Sequence, residues 1–313
     1  MKEALFQTKV PTVELAGMLQ AGVSPQAVRE MRDAGMGLDA YGRLTDAELR
    51  ELGWPRVDVH AFQHDDVWVV QAGEDGYPEE LAKVSGAPVV LFGRGEKSAV
   101  RAGVAVIGTR EMTKIGERVA RAAVDGAQRA GVPVISGLAK GCDQAAHRAA
   151  LDAGVPTVAV LACGVDECYP EEHEELRDAI LAAGGAVVSE VPCGESVSAQ
   201  RLMARNRIIT GMSHVVVPCE AGPRSRGTLG AVGGAIAQGR FLVVGRVKPS
   251  WRHYDSAWLA ERLSTGSQLE RTGWSKAVVA KAERMQGAVA NGVGDDAESV
   301  TELVEFAVLF ARS

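Results

Sequence analysis

Between residues 104 and 244 the chain alternates short apolar runs with longer stretches whose apolar residues recur every three or four positions. The runs fall at residues 104–108, 132–136, 157–162, 186–189, 215–218 and 241–244. Continuous apolarity, without an inside/outside alternation, fits strands buried on both faces. Helical spacing marks residues 114–130, 142–153, 171–183, 205–210 and 228–238; in the first of these Ile115, Val119, Ala122 and Ala123 share one face. Strands and helices taking turns in this way predict an α/β fold: a Rossmann-like, doubly wound, mostly parallel sheet with right-handed crossovers. In such a sheet the ligand lies beyond the carboxyl ends of the strands, so each loop that leaves a strand is a candidate site element.

The flanks follow other patterns. Residues 12–53 are helical in spacing, punctuated by Gly22 and Gly35, and Thr45-Asp46-Ala47-Glu48 opens a short helix that Gly53-Trp54-Pro55 closes. Three short helices are expected there, in a small module spanning residues 1–60. Residues 61–103 lead into the core, with short strands expected at 67–70 and 88–93, and the core itself extends to 249. Residues 250–313 form a C-terminal extension, with Trp251, Tyr254, Trp258 and Trp274 concentrated in it, a loop expected at 287–294 and an amphipathic helix at 300–311.

Hydrophobic residues make up 46% of the 313, enough for a sizeable core, and aromatics only 5%. The formal net charge of −6 excludes a uniformly basic surface, so any nucleic-acid site must be a local patch. Cys142, Cys163, Cys168, Cys193 and Cys219 are odd in number and contain no CxxC pair, which points to reduced thiols and to no metal site. No apolar run is long enough to cross a bilayer, and the first eleven residues lack the apolar core of a signal peptide. A cytoplasmic protein with no membrane partner is expected.

Candidate chemistry sits in the loops. Gly108-Thr109-Arg110 follows the first core strand and precedes a helix, where free N–H groups and a bidentate arginine suit a phosphate. The spacing is not GxGxxG, because the next glycine is Gly116, which argues against an ordinary dinucleotide site. Ser136-Gly137-Leu138-Ala139-Lys140-Gly141-Cys142-Asp143 offers hydroxyl and backbone donors, with Lys140, Asp143 and His147 beside them. The alternative for Asp143 and His147 is a helix cap and a surface histidine. Arg205-Asn206-Arg207 and Arg226-Gly227-Thr228, with Arg201 and Arg224 close by, concentrate cations in an acidic chain. Phosphate contacts explain that concentration, and salt bridges to Glu190 and Glu220 are the competing explanation. No nucleophile–base–orienter set emerges: Cys163 and His173 are a weak pair, and Asp143, Glu190 and Glu220 leave acid–base chemistry open. The chain reads as a binder more readily than as an enzyme, with no cofactor called for.

These pieces, in this order, resemble the DprA/Smf DNA-processing family. The likeness covers Gly76-Tyr77-Pro78-Glu79-Glu80-Leu81, Val106-Ile107-Gly108-Thr109-Arg110, the 136–143 loop with Ala146-His147, Cys163-Gly164-Val165-Asp166 with Tyr169-Pro170, Ser189-Glu190 and Arg205-Asn206-Arg207-Ile208-Ile209. The resemblance implies a core that binds single-stranded DNA, self-association as a homodimer, and help in loading the recombinase RecA during uptake or recombination of DNA. There are departures: Thr109 replaces a usual serine, Leu202-Met203-Ala204 stands where Phe-Pro is usual, and Arg226 is an additional arginine before Gly227-Thr228-Leu229. The C-terminal extension does not resemble the winged helix of some members. A rival likeness is to nucleotide phosphoribohydrolases of the lysine-decarboxylase-like kind, through Arg207, Met212, Val215-Val216-Val217-Pro218 and Gly227-Thr228. Ala231 occupies the place of their catalytic glutamate. A nucleotide- or base-processing enzyme is the alternative function.

Overall fold

The computed structural model describes residues 9–222, 224–244, 259, 263, 275–284 and 297–312. Four short helices open the chain: α1 (Thr12–Gln20), α2 (Pro25–Asp33), α3 (Leu38–Gly42) and α4 (Asp46–Leu52). The expected count of three is corrected to four, because Gly35 ends α2 in a left-handed turn and leaves room for the five-residue α3. Around α4 the structure agrees with the sequence reading. Thr45 and Glu48 form a reciprocal capping box at its start, and Gly53 closes it.

A single eight-stranded sheet follows: β1 (Trp68–Val70), β2 (Leu91–Gly95), β3 (Gly103–Gly108), β4 (Val134–Ser136), β5 (Thr157–Val160), β6 (Ala186–Ser189), β7 (Ser213–Glu220) and β8 (Phe241–Leu242). Their spatial order is β1-β2-β6-β5-β4-β3-β7-β8. The six core strands β3 to β8 pair in parallel, while the lead-in strands β1 and β2 join antiparallel at the β6 edge. Alternate residues of each strand supply the two faces. Ala105, Ile107, Val158, Val160 and Val188 pack under α5 (Glu79–Ala82), α9 (Ala199–Gly211), α10 (Arg226–Gln238) and α11 (Lys276–Arg284). On the opposite face Val104, Val106, Val134, Val215 and Val217 pack under α6 (Lys114–Arg129), α7 (Cys142–Asp152) and α12 (Ala297–Arg312). Ala159, Leu161 and Val187 pack under α8 (Glu174–Ala182) and share one hydrophobic cluster with Leu15, Met18, Val28 and Met31 of the N-terminal helices. The sheet is therefore covered on both faces, as the apolar runs predict.

The helix expected at 205–210 begins earlier, at Ala199, where the Ser198 hydroxyl accepts from Arg201 N. The terminal helix is present as α12, anchored to α6 by Thr301 Oγ1 donating to Ala122 O at 3.0 Å. The tryptophan and tyrosine cluster at 251–274 and the loop at 287–294 lie outside the described residues. Among the described residues no helix is long and apolar enough to cross a membrane.

Candidate nucleic-acid interface

From β3 the chain steps outward through β4, β5 and β6, and α9 then carries it back to β7 on the other side of β3. The order of strands reverses between β3 and β7, and helices diverge there to open a crevice. A cleft of about 910 Å3 occupies this point. It is bounded by the loop after β3 (Gly108, Thr109, Arg110), the segment after β7 with the first turn of α10 (Arg224 to Thr228), and the α9 face carrying Leu202, Met203 and Asn206.

The first turn of α10 is open. Ser225 precedes it without capping it, and no acidic residue lies in that turn. The N–H groups at the start of any helix lack intrahelical acceptors and carry a partial positive charge. Arg110, Arg224 and Arg226 stand exposed around this turn, and among the described residues none is held in an ion pair. Asn206 donates from Nδ2 to Gly227 O at 3.2 Å, which fixes its amide beside the same helix end. A Cβ at Gly227 would meet nothing within 4 Å, so backbone approach is unobstructed there.

The loop after β4 is closed on itself. Asp143 Oδ2 accepts from Gly137 N at 3.1 Å and from Ala139 N at 3.4 Å. Arg205 Nη1 donates to Gly137 O and to Val160 O, both at 2.6 Å, and binds the carboxyl ends of β4 and β5 to α9. Gly137 is required by packing: a Cβ would lie 1.9 Å from Arg205 Nη1. Gly141 takes a left-handed φ of 76° and presses against Thr109 O and Arg110 O. Burial drives the Asp143 carboxyl above its ordinary range, with the nearby Arg205 guanidinium opposing the shift.

The structure thus brings together Gly108, Thr109, Arg110, Asp143, Arg205, Asn206, Arg226, Gly227 and Thr228 around one cleft. Other expected site residues need correction. Ser136 is buried with its hydroxyl donated to Val106 O at 2.6 Å, and the Gly137 N–H is already taken by Asp143, so neither offers a donor to a ligand. His147 is fully buried against Thr157 Oγ1 at 2.8 Å, and desolvation lowers its pKa to about 3; it is a neutral core histidine. Arg207 points away from the cleft. Its guanidinium grips both carboxylate oxygens of Glu190, at 2.6 and 2.5 Å, and donates from Nε to Gly86 O. The salt-bridge explanation is the right one for Arg207, and also for the half-exposed Arg201, which pairs with Glu195. Lys140 and Gly141 line a neighbouring groove between α6 and α7, where Lys140 pairs with Glu172 at 2.5 Å. The N-terminus of α6 is not free either. Glu220 Oε2 accepts from Thr113 N at 2.8 Å and from Thr113 Oγ1 at 3.0 Å.

Cys163 and His173 are not arranged as a nucleophile and its base. The Cys163 thiol is pushed up to about 11 by burial, and His173 is bound through Nδ1 to Leu138 O. Sequence reasoning placed Arg224 in the cation cluster but did not find the apolar side of the cleft, where Leu202 and Met203 stand. The departures at 202–204 were the only signal for that side, since the α9 periodicity could not be phased from six residues.

Comparison with known proteins identifies the family. The model of the family described as DNA recombination-mediator protein A matches residues 68–269. The DNA processing protein DprA of Streptococcus pneumoniae is 32% identical over 253 residues, covering 76% of this chain and 89% of the relative. The chain belongs to this family. The protein Smf of Escherichia coli is 35% identical over 196 residues, and the matched region spans 61% of this chain and only 52% of that relative. In structure, the chain is similar to S. pneumoniae DprA with a TM-score of 0.64 at 25% identity, over 94% of this chain and 98% of the other. DNA processing protein A from Helicobacter pylori, solved to describe its single-stranded DNA binding mode, shares the fold with a TM-score of 0.55 at 23% identity, over 65% of this chain and 89% of the other. This member of the DprA/Smf family therefore carries the Rossmann-like core that its sequence predicts.

Proposed function

We propose that the chain binds single-stranded DNA in the cleft between β3 and β7, without chemical turnover. The observation that carries this reading is the uncapped α10 N-terminus ringed by three exposed arginines, Arg110, Arg224 and Arg226, in an otherwise acidic chain. Backbone N–H groups and guanidinium forks are the donors that phosphates recruit. Leu202 and Met203 give the same cleft an apolar side suited to a base. The H. pylori relative, whose solved structure concerns single-stranded DNA, supports the ligand class. Fluorescence anisotropy with labelled oligonucleotides tests the proposal: single strands bind more tightly than duplex, and affinity falls steeply with added salt. Preference for duplex, or indifference to salt, defeats it. Product analysis in the same samples tests the enzymatic alternative, against which stands Ala231 at the place of the phosphoribohydrolases' catalytic glutamate.

Self-association belongs to the same proposal. Phe306, Leu309 and Phe310 of α12 are 66%, 54% and 59% exposed, and Phe310 packs edge-on against Phe241 of β8. A contiguous apolar face at a sheet edge suits a symmetric contact between two copies. Light scattering showing only monomer at high micromolar concentration counts against it. Delivery of the bound strand to RecA, in the cytoplasm where five free thiols stay reduced, completes the reading. A RecA filament assay on protein-coated single strands, with and without this chain, tests that step.

A further inference from the structure

Two helices begin where the strand order reverses, and their first turns are in opposite states. α10 starts after β7 with no side-chain cap. α6 starts after β3, the first core strand, and a sheet of this class seats a ligand phosphate on the free N–H groups of that helix. Here the seat is filled from within the chain. Glu220, the last residue of β7, is 3% exposed, and its Oε2 accepts from Thr113 N at 2.8 Å and from Thr113 Oγ1 at 3.0 Å. The carboxylate lies over the first turn of α6, where a Cβ at Gly116 would come within 2.5 Å of Oε2. Capping alone does not call for it. Thr113 is already the N-cap residue of α6, and its hydroxyl accepts from Gly116 N. The donors that Oε2 takes are a backbone N–H and a hydroxyl at a helix end, not a guanidinium, although three exposed arginines line the adjoining cleft. Those are the donors a phosphate oxygen takes at such a turn. The main-chain oxygen of Glu220 also accepts from Thr109 N at 2.9 Å, so one residue ties down both ends of the 109–113 loop.

We infer that Glu220 is a resident anion: its carboxylate occupies the phosphate seat of the β3–α6 turn and closes that turn to the phosphate of any ligand. It is a specificity-determining residue. A phosphate entering the turn would share the Thr113 donors with a buried carboxylate, and like charges at hydrogen-bond distance repel. A built-in repulsive group of this kind rejects the wrong ligand as effectively as a new contact attracts the right one. The α10 end, which carries no acid in its first turn, is left as the anion-accepting end of the cleft. The inference concerns which helix end takes a phosphate, whether from a nucleotide or from DNA, and does not depend on the single-strand reading.

The test titrates inorganic phosphate, against chloride at equal ionic strength, into the parent, Glu220→Ala and Glu220→Gln by calorimetry. Emptying the seat gains a site: Glu220→Ala binds phosphate roughly tenfold more tightly than the parent, the effect of one charge-assisted hydrogen bond. Glu220→Gln behaves like the parent, because the amide still fills the seat. The gain persists when Arg226→Ala is added to Glu220→Ala, and phosphate shifts the Thr113 amide resonance of Glu220→Ala, which places the anion at α6. A residue that merely braces the loop would lose stability on substitution without acquiring a ligand. Phosphate binding by Glu220→Ala no tighter than by the parent overturns the inference. So does a gain that disappears with Arg226→Ala, because the anion then sits at α10, or an equal gain in Glu220→Gln, because charge and not occupancy is then the cause. Should Glu220→Ala fail to fold in chloride, the same question is put to refolding: recovery of the parent's melting transition in phosphate alone supports the resident anion, and recovery in neither salt overturns it. Binding of oligonucleotides by the parent is untouched by any of these outcomes, so the single-strand reading stands or falls separately.

Discussion

Two loops at the carboxyl edge of the sheet look alike as sequence and behave as opposites in the fold. Both follow a strand, precede a helix, and combine glycine with cations: residues 136–143 after β4 and residues 221–228 after β7. In the first, the loop's own carboxylate, Asp143, takes up the backbone donors, Arg205 takes up the carbonyls, and Lys140 is paired with Glu172. In the second there is no acid in the helix's first turn, and Arg224 and Arg226 stand exposed with no ion pair among the described residues. A glycine-rich loop that carries an acid at its helix start satisfies itself and becomes structure. One that lacks the acid leaves the first turn of its helix without a side-chain cap.

The sharpest way to break this contrast is to attack the closed loop. Gly137→Val drives a side chain into the Arg205 guanidinium, so we expect failure to fold rather than a folded protein with a blocked backbone. Arg205→Ala leaves the buried carbonyls of Gly137 and Val160 without their shared donor and should cost about 2–4 kcal/mol of stability, read by urea denaturation. If either variant melts like the parent, the loop is not the structural tie described. In the open loop the effect moves from folding to binding. Arg110→Ala and Arg226→Ala should each weaken binding of single-stranded DNA about tenfold, roughly one charge-assisted hydrogen bond, with melting temperature unchanged. Arg207→Ala should do the reverse: about 1 kcal/mol of stability lost with the Glu190 pair, and DNA affinity within twofold of the parent, roughly the scatter expected of a residue outside the interface. The smallest effect is in pH. Burial holds the His147 ring neutral with its pKa near 3, while the unfolded chain takes up that proton below about pH 6.5. Its contribution is therefore complete above that pH and declines as pH falls toward 3. Replacing His147 with Asn should flatten the melting-temperature profile between those limits, and an unchanged slope would show the ring to be protonated in the folded state.

The core was legible because burial on both faces leaves an imprint at short range. Runs such as Val104-Ala105-Val106-Ile107 and Val215-Val216-Val217 have no polar alternation to confuse with a half-exposed strand, and the intervening helices announce themselves through a 3.6-residue period. The antiparallel attachment of β2 to β6 was not legible, since the partner lies almost a hundred positions away and a short apolar strand does not encode its neighbour. Within the site, the first-turn arginine and glycine of α10 and the Arg110 loop could be named from sequence. The inward turn of His147 and the pairing of Arg207 with Glu190 could not, because each depends on which face of a helix meets the sheet.

By itself, then, the sequence determined the core strands, the helices between them and the sheet edge at which folds of this kind take their ligands. It determined these because periodicity and loop composition are local properties of the chain. Tertiary structure alone decided which donors at that edge are already bonded. Arg205 with Gly137, Glu220 with Thr113, and Arg207 with Glu190 are partners brought together by the fold, and a hydrogen-bonding group can be free for a ligand only after those partners have been satisfied.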